Sequence, residues 1–251
     1  MDGSVWVILP TYDEAGNIAA VVGGIRAALP DASILVVDDH STDGTAELAE
    51  ALADDVLHRP GKAGLGRAYT AGFARVLEAG ADFVVEMDAD LSHDPADLPR
   101  LVGPALDGVD LVLGSRYVPG GGIENWDRKR RVLSAAGCAY ARRALGVGIR
   151  DLTGGFKCFR ATTLRRIDAG SAGAQGYAFQ VELTWRALQL GLDVLEVPIR
   201  FRERRIGESK MSAQIALEAA WRVPALRFGP RRWRPPLAVD GHPADPVPHE
   251  G

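Results

Sequence analysis

Short apolar runs and amphipathic stretches alternate along the first half of the chain. Residues 5–9, 34–37, 56–58, 83–87 and 111–113 have the length and β-branched content of buried strands. Between them, residues 14–29 place Ile18, Val21, Val22, Ile25 and Leu29 on one helical face, and residues 44–52, 67–79 and 98–106 read as further helices. Such alternation predicts an α/β fold with a mostly parallel, Rossmann-like sheet covered by helices on both faces. Beyond residue 120 the pattern changes. Gly120, Gly121 and Gly122 predict a flexible loop, residues 128–145 a helix with an apolar middle (Val132, Leu133, Ala136, Ala139, Tyr140) and arginines at both ends, residues 179–190 another helix, and residues 195–201 a late strand running into a basic loop at Arg202, Arg204 and Arg205. Residues 212–228 intersperse Ile215, Leu217, Trp221, Leu226 and Phe228 with Arg222 and Arg227, and Pro224 predicts a break there. The expected organisation is one domain over residues 1–229, followed by a proline-rich, disordered tail over 230–251.

In open parallel sheets ligands bind outside the carboxyl ends of the strands, and the polar motifs of this chain fall at those ends. The first strand delivers Pro10-Thr11-Tyr12-Asp13-Glu14 and the second Asp38-Asp39-His40-Ser41-Thr42-Asp43-Gly44-Thr45. The fourth ends in Asp88-Ala89-Asp90, with Asp94-Pro95 as cap and first turn of the next helix, and the fifth in Gly114-Ser115-Arg116-Tyr117. Each loop taken singly has a bland explanation as cap or turn, such as Ser41 or Thr42 capping a helix and Asp43-Gly44 making a turn. Caps and turns do not explain why all four carry groups that bind metal, base or sugar. Asp88 and Asp90 would repel each other across a short loop unless a hard divalent cation, Mg²⁺ or Mn²⁺, lay between them and an anion.

Charge and composition narrow the field. The 251 residues are 47% hydrophobic and 25% charged, with a formal net charge of −4, which excludes a globally basic nucleic-acid binder. Arginines nevertheless crowd the second half, a segregation that suggests a local anionic partner. Cys138 and Cys158 lack zinc-site spacing and read as reduced core thiols of a cytosolic protein; the five histidines form no ligand pair. No run approaches a membrane span and no leader is evident, so the chain is expected to be neither secreted nor membrane-spanning. Gly61-Lys62-Ala63-Gly64-Leu65-Gly66-Arg67 could cradle a phosphate but has neither P-loop order nor a dinucleotide fingerprint, which favours nucleotide-sugar binding over NTP hydrolysis or hydride transfer.

The motifs at 10–14, 37–45, 88–95 and 114–117, with Asp151-Leu152-Thr153-Gly154-Gly155-Phe156-Lys157 and Gly207-Glu208-Ser209-Lys210, together resemble the dolichol-phosphate (polyprenol-phosphate) mannose synthases, family 2 glycosyltransferases of GT-A fold, in unbroken order over residues 4–212. Three positions depart from the family pattern: Asp13 stands where Asn is frequent, Gly154 where Ser is frequent, and Ser92 where some members use Gln near the metal. The resemblance implies inverting transfer of mannose from GDP-mannose to a polyprenyl monophosphate. It implies a metal held by Asp88 and Asp90, with Ser92 as a third candidate ligand, and Pro10, Tyr12, Glu14, Val37, Asp38, Asp39, Lys62, Asp88 and Ala89 around the nucleotide sugar. Asp90, Arg116, Arg131, Arg204 and Lys210 are the expected catalytic residues, the cations meeting the donor and acceptor phosphates. A polyprenyl phosphate is already an anionic nucleophile, so no general base is assigned. Such an acceptor implies a peripheral enzyme at the cytoplasmic face of a membrane, held there by residues 128–145 and 211–228 or by a separate membrane-anchoring subunit. The alternatives are another donor such as UDP-glucose, or a non-catalytic nucleotide-sugar-binding subunit.

Overall fold

The computed structural model describes residues 3–173, 176–203, 213–229 and 233, with residues 213–220 as backbone. The expected alternation is present: β1 (Val5–Thr11), α1 (Ala15–Ala28), β2 (Ser33–Asp38), α2 (Thr45–Leu52), β3 (Asp55–His58), α3 (Leu65–Glu78), β4 (Phe83–Glu86), α4 (Leu98–Leu106) and β5 (Leu111–Ser115). There follow β6 (Gly122–Ile123), α5 (Arg128–Leu145), β7 (Lys157–Arg160), α6 (Ala161–Arg166), α7 (Gly176–Gln189), β8 (Val194–Pro198), β9 (Arg200–Phe201) and α8 (Ala213–Phe228). Seven strands form one sheet in the order β3-β2-β1-β4-β7-β5-β8, and β6 pairs with β9 separately.

Both faces of the sheet are buried, which is why its strands are apolar almost without alternation. Ile8, Leu35, Val37, Val84 and Leu111 pack with Tyr69 and Phe73 of α3 and Phe179 and Trp185 of α7. Val7, Leu9, Ile34, Val36, Val85 and Val112 pack on the other side with Ile18, Val21 and Ile25 of α1 and Leu98 and Leu101 of α4. Gly72 lets α3 approach closely: a Cβ there would stand 2.8 Å from Ile8 Cγ2 and 3.2 Å from Val37 Cγ2.

The sheet is mostly parallel, as expected, with β7 running antiparallel between β4 and β5 and pairing Glu86 with Lys157 and Val112 with Cys158. A charged residue at its start hid this strand and helix α6 behind it. The 120–122 loop is not free, since Gly122 and Ile123 pair with Arg200 and Phe201. Pro224 does not break the last helix, and α8 runs through it while packing on α5 and α7. The expected disordered tail lies outside the described residues except for Trp233, which is half-buried with the Arg186 guanidinium 5.2 Å from its ring.

Candidate active site

The sheet changes direction at β1, with β2 and β3 laid down on one side and β4 on the other, and the crevice at such a switch point is where a ligand fits. A cleft of about 540 Å³ opens there. From the β1 loop it takes Pro10, Tyr12 and Glu14, from the β2 and β3 loops Asp39 and Lys62, and from the β4 loop Asp88, Ala89, Asp90 and Ser92. Because β7 is antiparallel, the segment before it reaches the same rim and adds Thr153, Gly154 and Gly155 to Arg116 from β5.

The β1 and β2 loops are tied to each other. Asp13 is left-handed (φ 56°), its N–H donates to Ser41 Oγ at 2.9 Å, and Thr42 N–H donates back to Asp13 Oδ1 at 2.9 Å. Asp38 is buried and accepts from the Thr11 hydroxyl at 2.9 Å and from Ser41 N–H, so its carboxylate organises these loops rather than lining the cleft. Val37 likewise has its side chain in the core. Asp39 does line the cleft, paired with Arg59. Lys62 Nζ sits 3.9 Å from the centre of the Tyr12 ring.

After β4 the chain turns sharply. Leu91 is left-handed (φ 62°), a conformation that costs a branched residue about 1–2 kcal/mol, and it swings Ser92 back so that its N–H (3.0 Å) and hydroxyl both donate to Asp90 Oδ1. Ser92, the candidate third ligand, is thus directed at Asp90 itself. Asp88 N–H donates to His93 Nδ1 at 3.3 Å, and the His93 ring stacks on Phe156 with centroids 4.9 Å apart. Burial, opposed by the Asp90 charge, lowers the His93 pKa to about 4, leaving a neutral imidazole that accepts this bond at neutral pH.

Arg116 is held from two sides. Its Nε and Nη2 donate to the two oxygens of Asp151 at 2.7 Å each, and Nη2 also reaches Thr153 Oγ1 at 2.9 Å. Burial alone would raise the Asp151 pKa, but the charge and hydrogen bonds of Arg116 outweigh it and hold the carboxyl below its ordinary value. On α5 it is Arg130 that lines the cleft, 4.0 Å from the Trp126 ring centre and 2.9 Å from Glu203, whereas Arg131, one residue and about 100° further round the helix, is exposed. Arg204 and Lys210 lie outside the described residues.

Beneath the cleft are charged groups to which the motifs assigned no role. Glu86 and Lys157 are cross-strand partners, both fully buried. Burial raises Glu86 to about 7 against the pull of Lys157, and burial lowers Lys157 to about 8 against the pull of Glu86. Lys157 Nζ donates to the main-chain oxygen of Gln180 at 2.7 Å. Glu86 inside an apolar run, and Asp151 and Lys157 at the two ends of the 151–157 motif, were the available signals; Arg130 and Gln180 had none of their own.

Asp88 and Asp90 fit a divalent metal as a donor set: both line the cleft and offer hard carboxylate oxygens. Among the described residues no third His, Cys, Asp or Glu joins them in a metal-binding group. One or two carboxylates with the remaining positions left to phosphate oxygens and water is how Mg²⁺-type sites at diphosphates are built.

An open sheet with this crevice, ending in an Asp-x-Asp loop, defines a GT-A-type glycosyltransferase, and the chain belongs to glycosyl transferase family 2, which it matches over residues 6–168. It is 50% identical to the polyprenol monophosphomannose synthase of Mycolicibacterium smegmatis over 223 residues, 86% of this chain and 84% of that protein. It is 48% identical to the undecaprenyl-phosphate mannosyltransferase of Micrococcus luteus over 235 residues, 91% of this chain and 96% of that one. Among solved structures it resembles glucosyl-3-phosphoglycerate synthase from Mycobacterium tuberculosis in complex with Mn²⁺, UDP-glucose and glycerol 3-phosphate. That likeness has a TM-score of 0.63 and 25% identity, and covers 82% of this chain and 74% of the other.

Proposed function

We propose that this glycosyltransferase moves mannose from GDP-mannose to a polyprenyl monophosphate with inversion at the anomeric carbon. The observation that carries the proposal is the convergence of Asp88 and Asp90 with Arg116 and Arg130 in one cleft, an arrangement suited to two phosphate groups meeting across a sugar. The names of the relatives at 48–50% identity support the acceptor and the sugar.

In this scheme Pro10, Tyr12, Glu14, Asp39 and Lys62 hold the nucleoside, and Asp88 and Asp90 hold Mg²⁺ or Mn²⁺ on the diphosphate. When bound, that ion supplies electrostatic stabilisation of the departing nucleoside diphosphate. Arg130 takes the phosphate-binding role expected of Arg131, and Arg204 and Lys210 are proposed as further cations for the donor and acceptor phosphates. A phosphate oxygen of the acceptor bonds to the anomeric carbon as the bond from that carbon to the GDP oxygen breaks, and one displacement inverts the centre. Arg116, held by Asp151 and Thr153, needs no reorganisation in this step.

Among the described residues no helix is long and apolar enough to cross a membrane. Contact with a bilayer-bound acceptor at the cytoplasmic face is proposed to come from α5 and α8, which pack together and expose Val132, Leu133, Tyr140, Trp221 and Phe228. UDP-glucose as donor is a second possibility, favoured by the complex of the 25%-identical neighbour. Calorimetric titration with GDP and UDP, each with Mg²⁺, joined to turnover with GDP-mannose and polyprenyl phosphate, separates the two. Tight GDP binding and mannosyl transfer are expected, and tight UDP binding with no turnover of GDP-mannose would overturn the donor assignment.

A further inference from the structure

We infer that His93 is a positioning residue for the divalent metal: by accepting the main-chain N–H of Asp88 it closes the turn that carries Asp88 and Asp90, so that both carboxylates face one ion. This deepens the metal assignment above and rests on it. The bond from Asp88 N–H to His93 Nδ1, at 3.3 Å, ties residue 93 back to residue 88 with Asp90 between them. Because the donor is a main-chain N–H, Nδ1 must present a lone pair, and the proton of the neutral ring is on Nε2. That lone pair is spent on the loop, so Nδ1, 3.9 Å from Asp88 Oδ2, acts on the metal through Asp88 and not as a ligand.

The imidazole is locked in place. It is 2% exposed, stacked on Phe156 with centroids 4.9 Å apart, and met edge-on by Phe201 at 5.3 Å. The turn needs such an anchor. Leu91 holds its left-handed conformation at a cost of about 1–2 kcal/mol, and Leu91, His93 and Asp94 also line a second cavity, of about 410 Å³, which gives the turn room to relax. Ser92 fastens Asp90 through its N–H and hydroxyl, and Arg202 N–H donates to the Ser92 main-chain oxygen at 3.0 Å. Those bonds hold the Asp90 half. The imidazole holds the Asp88 half, and with it the spacing between two carboxylates that a hard cation of strict geometry must match. Groups that orient metal ligands in this way, without touching the metal, typically change its affinity about 10–100-fold when removed.

Two variants separate the hydrogen bond from the packing. His93→Phe keeps an aromatic ring between Phe156 and Phe201 but has no acceptor for Asp88 N–H, whereas His93→Asn gives up the ring but can place Oδ1 where Nδ1 stood. Mn²⁺ binding to the GDP-bound protein is read without turnover, from the electron paramagnetic resonance signal of free Mn²⁺, beside thermal melts in EDTA. His93→Phe should weaken Mn²⁺ binding about 10–100-fold, with GDP affinity in EDTA unchanged. His93→Asn should recover most of the Mn²⁺ affinity although it melts at a lower temperature than His93→Phe. In transfer assays the loss in His93→Phe should appear as a raised Mn²⁺ requirement, with kcat restored at saturating Mn²⁺. Wild-type Mn²⁺ affinity in His93→Phe, or affinity that follows melting temperature across the three proteins, would make His93 a packing residue and overturn the inference. His93→Leu takes the place of His93→Phe in the same comparison if the latter does not fold. A wild type that binds no Mn²⁺ with either GDP or UDP would refute the metal assignment itself, and this inference with it.

Discussion

Replacing Asp151 by Asn should cost this protein more stability than almost any other change that preserves shape. The carboxylate is fully buried, its Arg116 partner is 7% exposed, and three N–H groups of Arg116, from main chain (2.9 Å), Nε and Nη2 (2.7 Å each), converge on it. An Asn fits the same space but presents an amide N–H toward donors and leaves the guanidinium charge unpaired in the interior. Breaking one side of such a pair costs about 3–5 kcal/mol. For a chain of this size about 2–4 °C of melting temperature accompanies each kcal/mol, so a fall of roughly 6–20 °C is expected. Thermal melts at pH 7 followed by circular dichroism measure it. The double change Arg116→Met with Asp151→Leu removes both charges and should recover much of that loss, although transfer activity would not return with it. Because Arg116 holds the Asp151 pKa below its ordinary value, this stabilisation is present above about pH 4 and lost as pH falls through the folded-state value. The gap between wild type and Asp151→Asn should therefore close in acid. A melting temperature lowered by less than about 2 °C, or a double variant as unstable as the single one, would refute the buried-pair account.

Asp90→Asn should abolish transfer with an unchanged melting curve, and EDTA should mimic it; full activity in either case removes the metal role. Glu86 has its folded pKa raised to about 7 from the ordinary 4.5, so the folded state keeps a proton that the unfolded chain has released. Stability should decline by about 3 kcal/mol as pH rises from about 4.5 to about 7, and Glu86→Gln should flatten that slope in urea titrations; equal slopes in both proteins would contradict the burial argument. The protein should sediment with anionic vesicles at low salt and be released at high salt, each nearby basic residue contributing roughly 1 kcal/mol. Trp221→Ser with Phe228→Ser should weaken this and transfer to long-chain acceptors, while a short soluble acceptor phosphate is still used. Equal loss of both activities would make α8 a packing element and leave recruitment to a partner protein.

What the sequence determined by itself was local. Apolar runs of strand length between stretches of helical period are set by the burial of each segment, so β1 to β5 and α1 to α5 were legible within a few residues. So was the rim, because Pro10, Tyr12, Asp88, Asp90 and Arg116 follow directly from strand ends in a right-handed, mostly parallel sheet. What only the tertiary structure decided was pairing across long separations and the direction a side chain faces. Lys157 begins a strand because Glu86 and Leu113 are there to pair with it, something no local pattern encodes. Val37 and Asp38 carry motif positions but turn inward, since β2 is buried on both faces and its end is fastened to the β1 loop. Arg130 rather than Arg131 reaches the cleft because the rotation of α5 on its neighbours fixes which of two adjacent arginines faces in. Asp151 became the partner of Arg116, and Gln180 a wall of the site, only once β7 and α7 had folded over the carboxyl ends of the strands.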